Sequence, residues 1–151
     1  MMNENKHGGS NLGAWVTMAL AIGGALIFAI WQLGPGTLRN LAYILAEANR
    51  DLNDALKFAR VAKEQLPEDA NIMDTLGWVY YRRGLYDSAI AEFKSSLAKT
   101  PGNAAVIYHL GMAYAKKGDK EKALVELERA IALNLLPSDA HEAKKALEGL
   151  R

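Results

Sequence analysis

Leu76-Gly77 recurs as Leu110-Gly111, Tyr80 as Tyr114, Gly84 as Gly118, Ala89 as Ala123 and Pro67 as Pro101, always 34 residues apart. Five residue types held at one offset mark a tandem repeat. A unit this short cannot bury its own apolar face, so copies must stack and share a continuous core. Within each unit the apolar spacing is helical. Met73, Leu76, Gly77 and Tyr80 follow one another at steps that place them on a single face of a helix. Gly84 and Gly118 then end the first helix of each unit, where a left-handed backbone costs glycine little. Pro67 and Pro101 stop the second helix and turn the chain into the next unit. Gly77 and Gly111 admit the second helix closely, Ala89 and Ala123 are its small partners, and Phe93 and Leu127 fill the apolar slot between layers.

A third, more divergent copy precedes these two, "TLRNLAYILAEANRDLNDALKFARVAKEQLP". Aligning Leu41-Ala42 with Leu76-Gly77 leaves one extra residue in its inter-helix turn, puts Ala55 in the place of Ala89, and closes the unit at Pro67. Behind the last repeat, "LPSDAHEAKKALEGLR" has Ser138 as N-cap and apolar Ala140, Ala143, Ala146, Leu147 and Leu150. It reads as the polar-backed helix that covers the last open face of a stack.

The period and the pattern over residues 37–150 resemble the tetratricopeptide repeat (TPR), and "DTLGWVYYRRGLYDSAI" is similar to repeats of membrane-tethered or extracytoplasmic bacterial members of that family. The resemblance implies an all-α right-handed superhelix of antiparallel helix pairs, whose first helices line a concave groove. It also implies peptide or protein binding in place of catalysis.

On the first helix of the second repeat, Tyr80 falls on the packed stripe, and Trp78 lies ~160° away from Leu76 and Tyr80. Asp74, Trp78, Tyr81 and Arg82 share that opposite face, which the resemblance assigns to the groove. Across the repeats the rungs are Arg39, Asp74 and Tyr108; Tyr43, Trp78 and Met112; Ala46, Tyr81 and Ala115; and Glu47, Arg82 and Lys116. An aromatic and thioether centre with charged edges suits an apolar-anchored segment, because Trp, Tyr and Arg dominate interface energetics. The competing reading of Trp78 and Tyr81 is inter-repeat packing without a ligand. The family subtype that clamps a chaperone's C-terminal carboxylate uses Lys or Asn in the groove. Here the matching pairs are Arg39/Tyr43, Asp74/Trp78 and Tyr108/Met112, which leaves that ligand without support.

The amino-terminal part has a different composition. Ala14 to Leu33, "AWVTMALAIGGALIFAIWQL", holds 20 residues without a charge. As a helix it would span ~30 Å, the thickness of a hydrocarbon core. Its Val, Leu, Ile and Phe favour insertion by about 2–5 kcal/mol in total. Trp15 and Trp31 would stand ~24 Å apart, where interfacial aromatics belong. A cleaved signal peptide would need small residues after the apolar run, and "IWQLGPG" supplies bulky ones. A buried soluble helix rarely stays uncharged for so long. Ala21, Ala25 and Ala29 form a small-residue ridge on which another membrane helix could pack. Lys6 and the amino terminus on one flank nearly balance Arg39 and Arg50 on the other, so charge does not orient the segment.

The expected organisation is a tail over 1–12, a transmembrane helix over 13–33 and a TPR array over 37–151. Within the array the repeats fall at about 37–67, 68–101 and 102–136, with a capping helix at 138–150. Lys plus Arg number 18 and Asp plus Glu 17, without the basic excess of a nucleic-acid binder. The absence of cysteine excludes disulfides, zinc–thiolate sites and thiol catalysis. His7, His109 and His141 lack a second ligand at helical spacing, and no phosphate loop or nucleophile elbow occurs, so neither cofactor nor enzyme activity is expected. The sequence therefore points to a single-pass protein of a bacterial inner membrane that holds a TPR groove, by resemblance on the periplasmic side, for a protein or peptide partner. Its rival is an accessory subunit of a larger membrane complex, in electron transfer, secretion or envelope biogenesis, held through its membrane helix. Self-association through the groove is a third possibility.

Overall fold

The computed structural model describes residues 32–151. The tail and the uncharged run, save its last two residues, lie outside them, as does the Ala21/Ala25/Ala29 ridge. Among the described residues no helix is long and apolar enough to cross a membrane. Gly34–Arg151 forms one compact unit. It is all-α, with seven helices: α1 (Pro35–Glu47), α2 (Leu52–Gln65), α3 (Ala70–Arg82), α4 (Tyr86–Lys99), α5 (Ala104–Lys117), α6 (Lys120–Ala132) and α7 (Pro137–Leu150). The pairs α1/α2, α3/α4 and α5/α6 pack internally, each second helix packs on the next first helix, and α7 closes the end against α5 and α6.

Local chemistry sets the boundaries. The Asp69 carboxylate accepts from the backbone N–H groups of Asn71 and Ile72 at 2.9 and 3.0 Å, capping α3. Asn103, in the same place one repeat later, caps α5 through Ala105 and Val106. Gly84 and Gly118 adopt φ of 75° and 92° at the turns between paired helices. The first repeat spends two left-handed residues there, Asn49 and Asp51, which accommodates its extra residue. α1 begins at Pro35, inside the "GPG" joint, because proline's fixed φ and missing donor suit a first turn. Ser138 is not the cap of α7: the helix starts one residue earlier at Pro137 for the same reason, and Ser138 Oγ donates to Asp139.

The layers are held by complementary volumes. A Cβ built on Gly77 would lie 2.6 Å from the Phe93 ring, and one on Gly111 would lie 2.8 Å from Leu127 Cγ. In the first repeat the equivalent positions are Ala42 and Ala59, both fully buried. A small residue on one helix thus faces a large one on its partner, or two alanines share the space.

Trp78 packs within the stack, as the competing reading has it, and Tyr80 meets its expected core position only in part. Trp78 is 7% exposed, whereas Tyr80 is only half-buried and its hydroxyl accepts from Arg60 at 3.3 Å. The cause is the stack. α3 touches α4 and α2 but also α1 and α5, so the flank opposite its core stripe is covered as well.

Candidate binding groove

Two open cavities lie among the first helices and α7, and their walls meet where Trp78 stacks on His109. The larger, of about 450 Å³, collects Trp78, Tyr81 and Arg82 from α3 and Tyr108, Met112 and Lys116 from α5. Asn49, Tyr86 and Glu142 complete its wall. The smaller, of about 260 Å³, contains Arg39, Tyr43 and Asp74 beside His109, Leu136 and Asp139. All nine sequence-predicted groove residues line one or other cavity, but the rungs are divided. Tyr43 opens into a different cavity from Trp78 and Met112, and Tyr108 is separated from Arg39 and Asp74. Ala46 is fully buried and Ala115 packs against the core, so only Tyr81 of their rung faces the groove.

The floor is an aromatic and polar network. The Trp78 ring is stacked between Tyr81, at 4.8 Å between centroids, and His109, at 4.5 Å. Its Nε1–H donates to Glu47 at 2.6 Å, and the Arg82 guanidinium sits 5.8 Å above it. His109 Nδ1 pairs with Asp74 at 2.8 Å, which joins neighbouring repeats. Tyr43 and Tyr81 remain partly accessible above this floor. Sequence reading looked for a partner of His109 only at helical spacing and missed Asp74 in the preceding repeat. The available signal was an acid at 74 and a histidine one residue past the equivalent position in the next repeat. Nothing local in the sequence could bring Asp139 and Glu142 of α7 to the groove.

Burial raises the pKa of three groove phenols. For Tyr108 desolvation is the main cause, with Asp139 next. Desolvation and then Glu47 act on Tyr43, and desolvation and then Tyr86 on Tyr81. A phenol whose folded pKa lies above its unfolded value of about 10 contributes stability that is complete below that value and lost as pH rises through the folded one. Unfolding midpoints should therefore fall above pH ~10. Phenolate absorbance of the folded chain should show a late-titrating fraction of its six tyrosines, abolished by denaturant. Simultaneous titration of all six would contradict the burial of the groove phenols.

Residues 75–140 match a family model described as tetratricopeptide repeat. The Yersinia enterocolitica type III secretion chaperone SycD, solved with a peptide of the translocator YopD, superposes with a TM-score of 0.66 at 19% identity, over 76% of this chain and 90% of SycD. The array has the tetratricopeptide-repeat fold. YrrB, described as a TPR protein with an unusual peptide-binding site, superposes with a TM-score of 0.65 at 27% identity, over 76% of this chain and 58% of YrrB. BBSome complex member BBS4 of Bos taurus is 30% identical over 76 residues, half of this chain. The chain spans only 15% of the length of that curated relative. Both of these solved proteins, SycD and YrrB, share the fold of this unit.

Proposed function

We propose that this is a membrane-anchored TPR scaffold that binds a protein or peptide segment in its α1/α3/α5 groove and so helps assemble or tether a complex at a bacterial inner membrane. Ala14–Leu33 would be the single anchor, and the array would face the periplasm. The observation that carries the reading is that Arg39, Tyr43, Asp74, Trp78, Tyr81, Arg82, Tyr108, Met112 and Lys116 all line one or other of two cavities, whose walls touch where Trp78 stacks on His109. Aromatic walls with arginine at the rim are the composition of interface hot spots. SycD and YrrB support it as proteins of this fold described with peptides or peptide sites. Recognition, not catalysis, is what such a lining offers.

A second reading keeps the protein as a constitutive subunit of a larger membrane complex, favoured by the Ala21/Ala25/Ala29 ridge. Purification of the intact chain from native membranes separates the two. Groove binding predicts that Tyr81→Ser with Arg82→Glu weakens partner retention on the order of 30-fold, an effect of about 2 kcal/mol, with helicity unchanged. Retention that survives these changes and ends only on deleting residues 1–33 would establish the second reading instead.

A further inference from the structure

The first repeat has a face that its successors bury. Leu76 and Val79 of α3, and Leu110 and Ala113 of α5, are covered in the stack, where α2 and α4 pack against those helices. Their equivalents on α1 are Leu41 and Ile44. With no preceding helix pair among the described residues, these are 38% and 61% exposed. Thr37 and Ala48 continue the stripe and are exposed too, so the face is uncharged along the length of α1.

We infer that this α1 face rests on the lipid interface of the membrane, an inference that relies on the proposed anchoring by Ala14–Leu33. Chain continuity places the face near the bilayer. The uncharged run ends at Leu33, and α1 begins at Pro35. Leu41 and Ile44 therefore fall within roughly 15 Å of the point where an anchor would leave the hydrocarbon. Size argues against a second copy of the chain. The stripe from Thr37 to Ala48 is about 17 Å long and one helix wide, some ~200 Å², against the ~800 Å² per partner that a stable dimer needs. An interface between headgroups and acyl chains makes no such demand. It accepts a small apolar stripe without shape complementarity, and the anchor removes the entropic cost of finding it.

The chain contains no cysteine, so a single introduced one reports on a single place. Ile44→Cys in the full chain, carrying an environment-sensitive fluorophore and reconstituted in phosphatidylethanolamine/phosphatidylglycerol vesicles, should shift to the blue. Lipids bearing a nitroxide near the headgroup should quench it about twofold. The same label on Val125→Cys, at an equally exposed apolar site (63%) on α6, should do neither. A label on Ala25→Cys, near the middle of the proposed span, tests the anchor alone, read with lipids that carry the nitroxide deep in the acyl chain. Quenching at 25 without quenching at 44 overturns the inference and leaves the anchor standing, and absence at 25 overturns both. Oxidation of unlabelled Ile44→Cys to a covalent dimer would assign the face to a second copy and overturn it as well.

Discussion

Phe93→Ala is expected to cost about 3–5 kcal/mol, much of the stability of a domain this size. The ring is fully buried and occupies the space left by Gly77 on the facing helix. The same contact predicts the effect of adding a single methyl. In the native background Gly77→Ala would push Cβ to 2.6 and 2.7 Å from two ring carbons, so the ring has to move within a packed layer. That should cost about 1–3 kcal/mol even though alanine is the better helix former by about 1 kcal/mol. In the Phe93→Ala background the substitution should become neutral or stabilising, because the pair then matches Ala42 and Ala59 of the first repeat. Chemical unfolding followed by circular dichroism measures all four corners of the cycle. An equal cost of Gly77→Ala with and without the ring would contradict the volume-matching account of how the layers fit.

Trp78→Ala comes next in size, also at about 3–5 kcal/mol, since it opens a void between Tyr81 and His109 in a nearly inaccessible layer. Trp78→Phe keeps most of the ring and loses only the Nε1–H bond to Glu47. Glu47 is exposed and can take water in exchange, so about 1–2 kcal/mol is expected. This bears on how the groove is tested. Lost binding in Trp78→Ala would report a damaged stack as readily as a missing contact. Partner retention should survive Trp78→Phe and fail with changes at Tyr81 and Arg82, which stand at the accessible rim. Thermal unfolding alongside retention separates the two effects. Full stability of Trp78→Ala would contradict the indole's place in the packing.

The repeat was legible because it is written in covalent spacing: glycine where a helix must approach a large side chain, proline after a helix end, a buried alanine early in the second helix. Those positions recur 34 residues apart whatever the rest of each unit does. The groove was legible as a set of residues but not as a geometry. A helical wheel separates Tyr80 from Trp78 correctly yet treats only one flank as buried. In a stack the neighbouring first helices cover the other flank, which is why the indole lies deep and the phenol at 80 does not. The His109–Asp74 pair and the acids of α7 depend on distances between repeats that no single-helix pattern encodes. The exposed face of α1 is hidden in the sequence for the same reason. Leu41 looks like its buried counterparts in the sequence, and only the stack shows that no described helix pair covers it.

The groove is tested most directly by photocrosslinking from inside it. A benzophenone amino acid placed at Met112 or at Tyr43, one in each cavity, is compared in native membranes with one at Val125, away from both. The account predicts one shared protein adduct from the two groove positions that is missing at Val125. No adduct from either cavity, or the same adduct from all three sites, would show that the hollow side of the stack is not where this protein meets its partner.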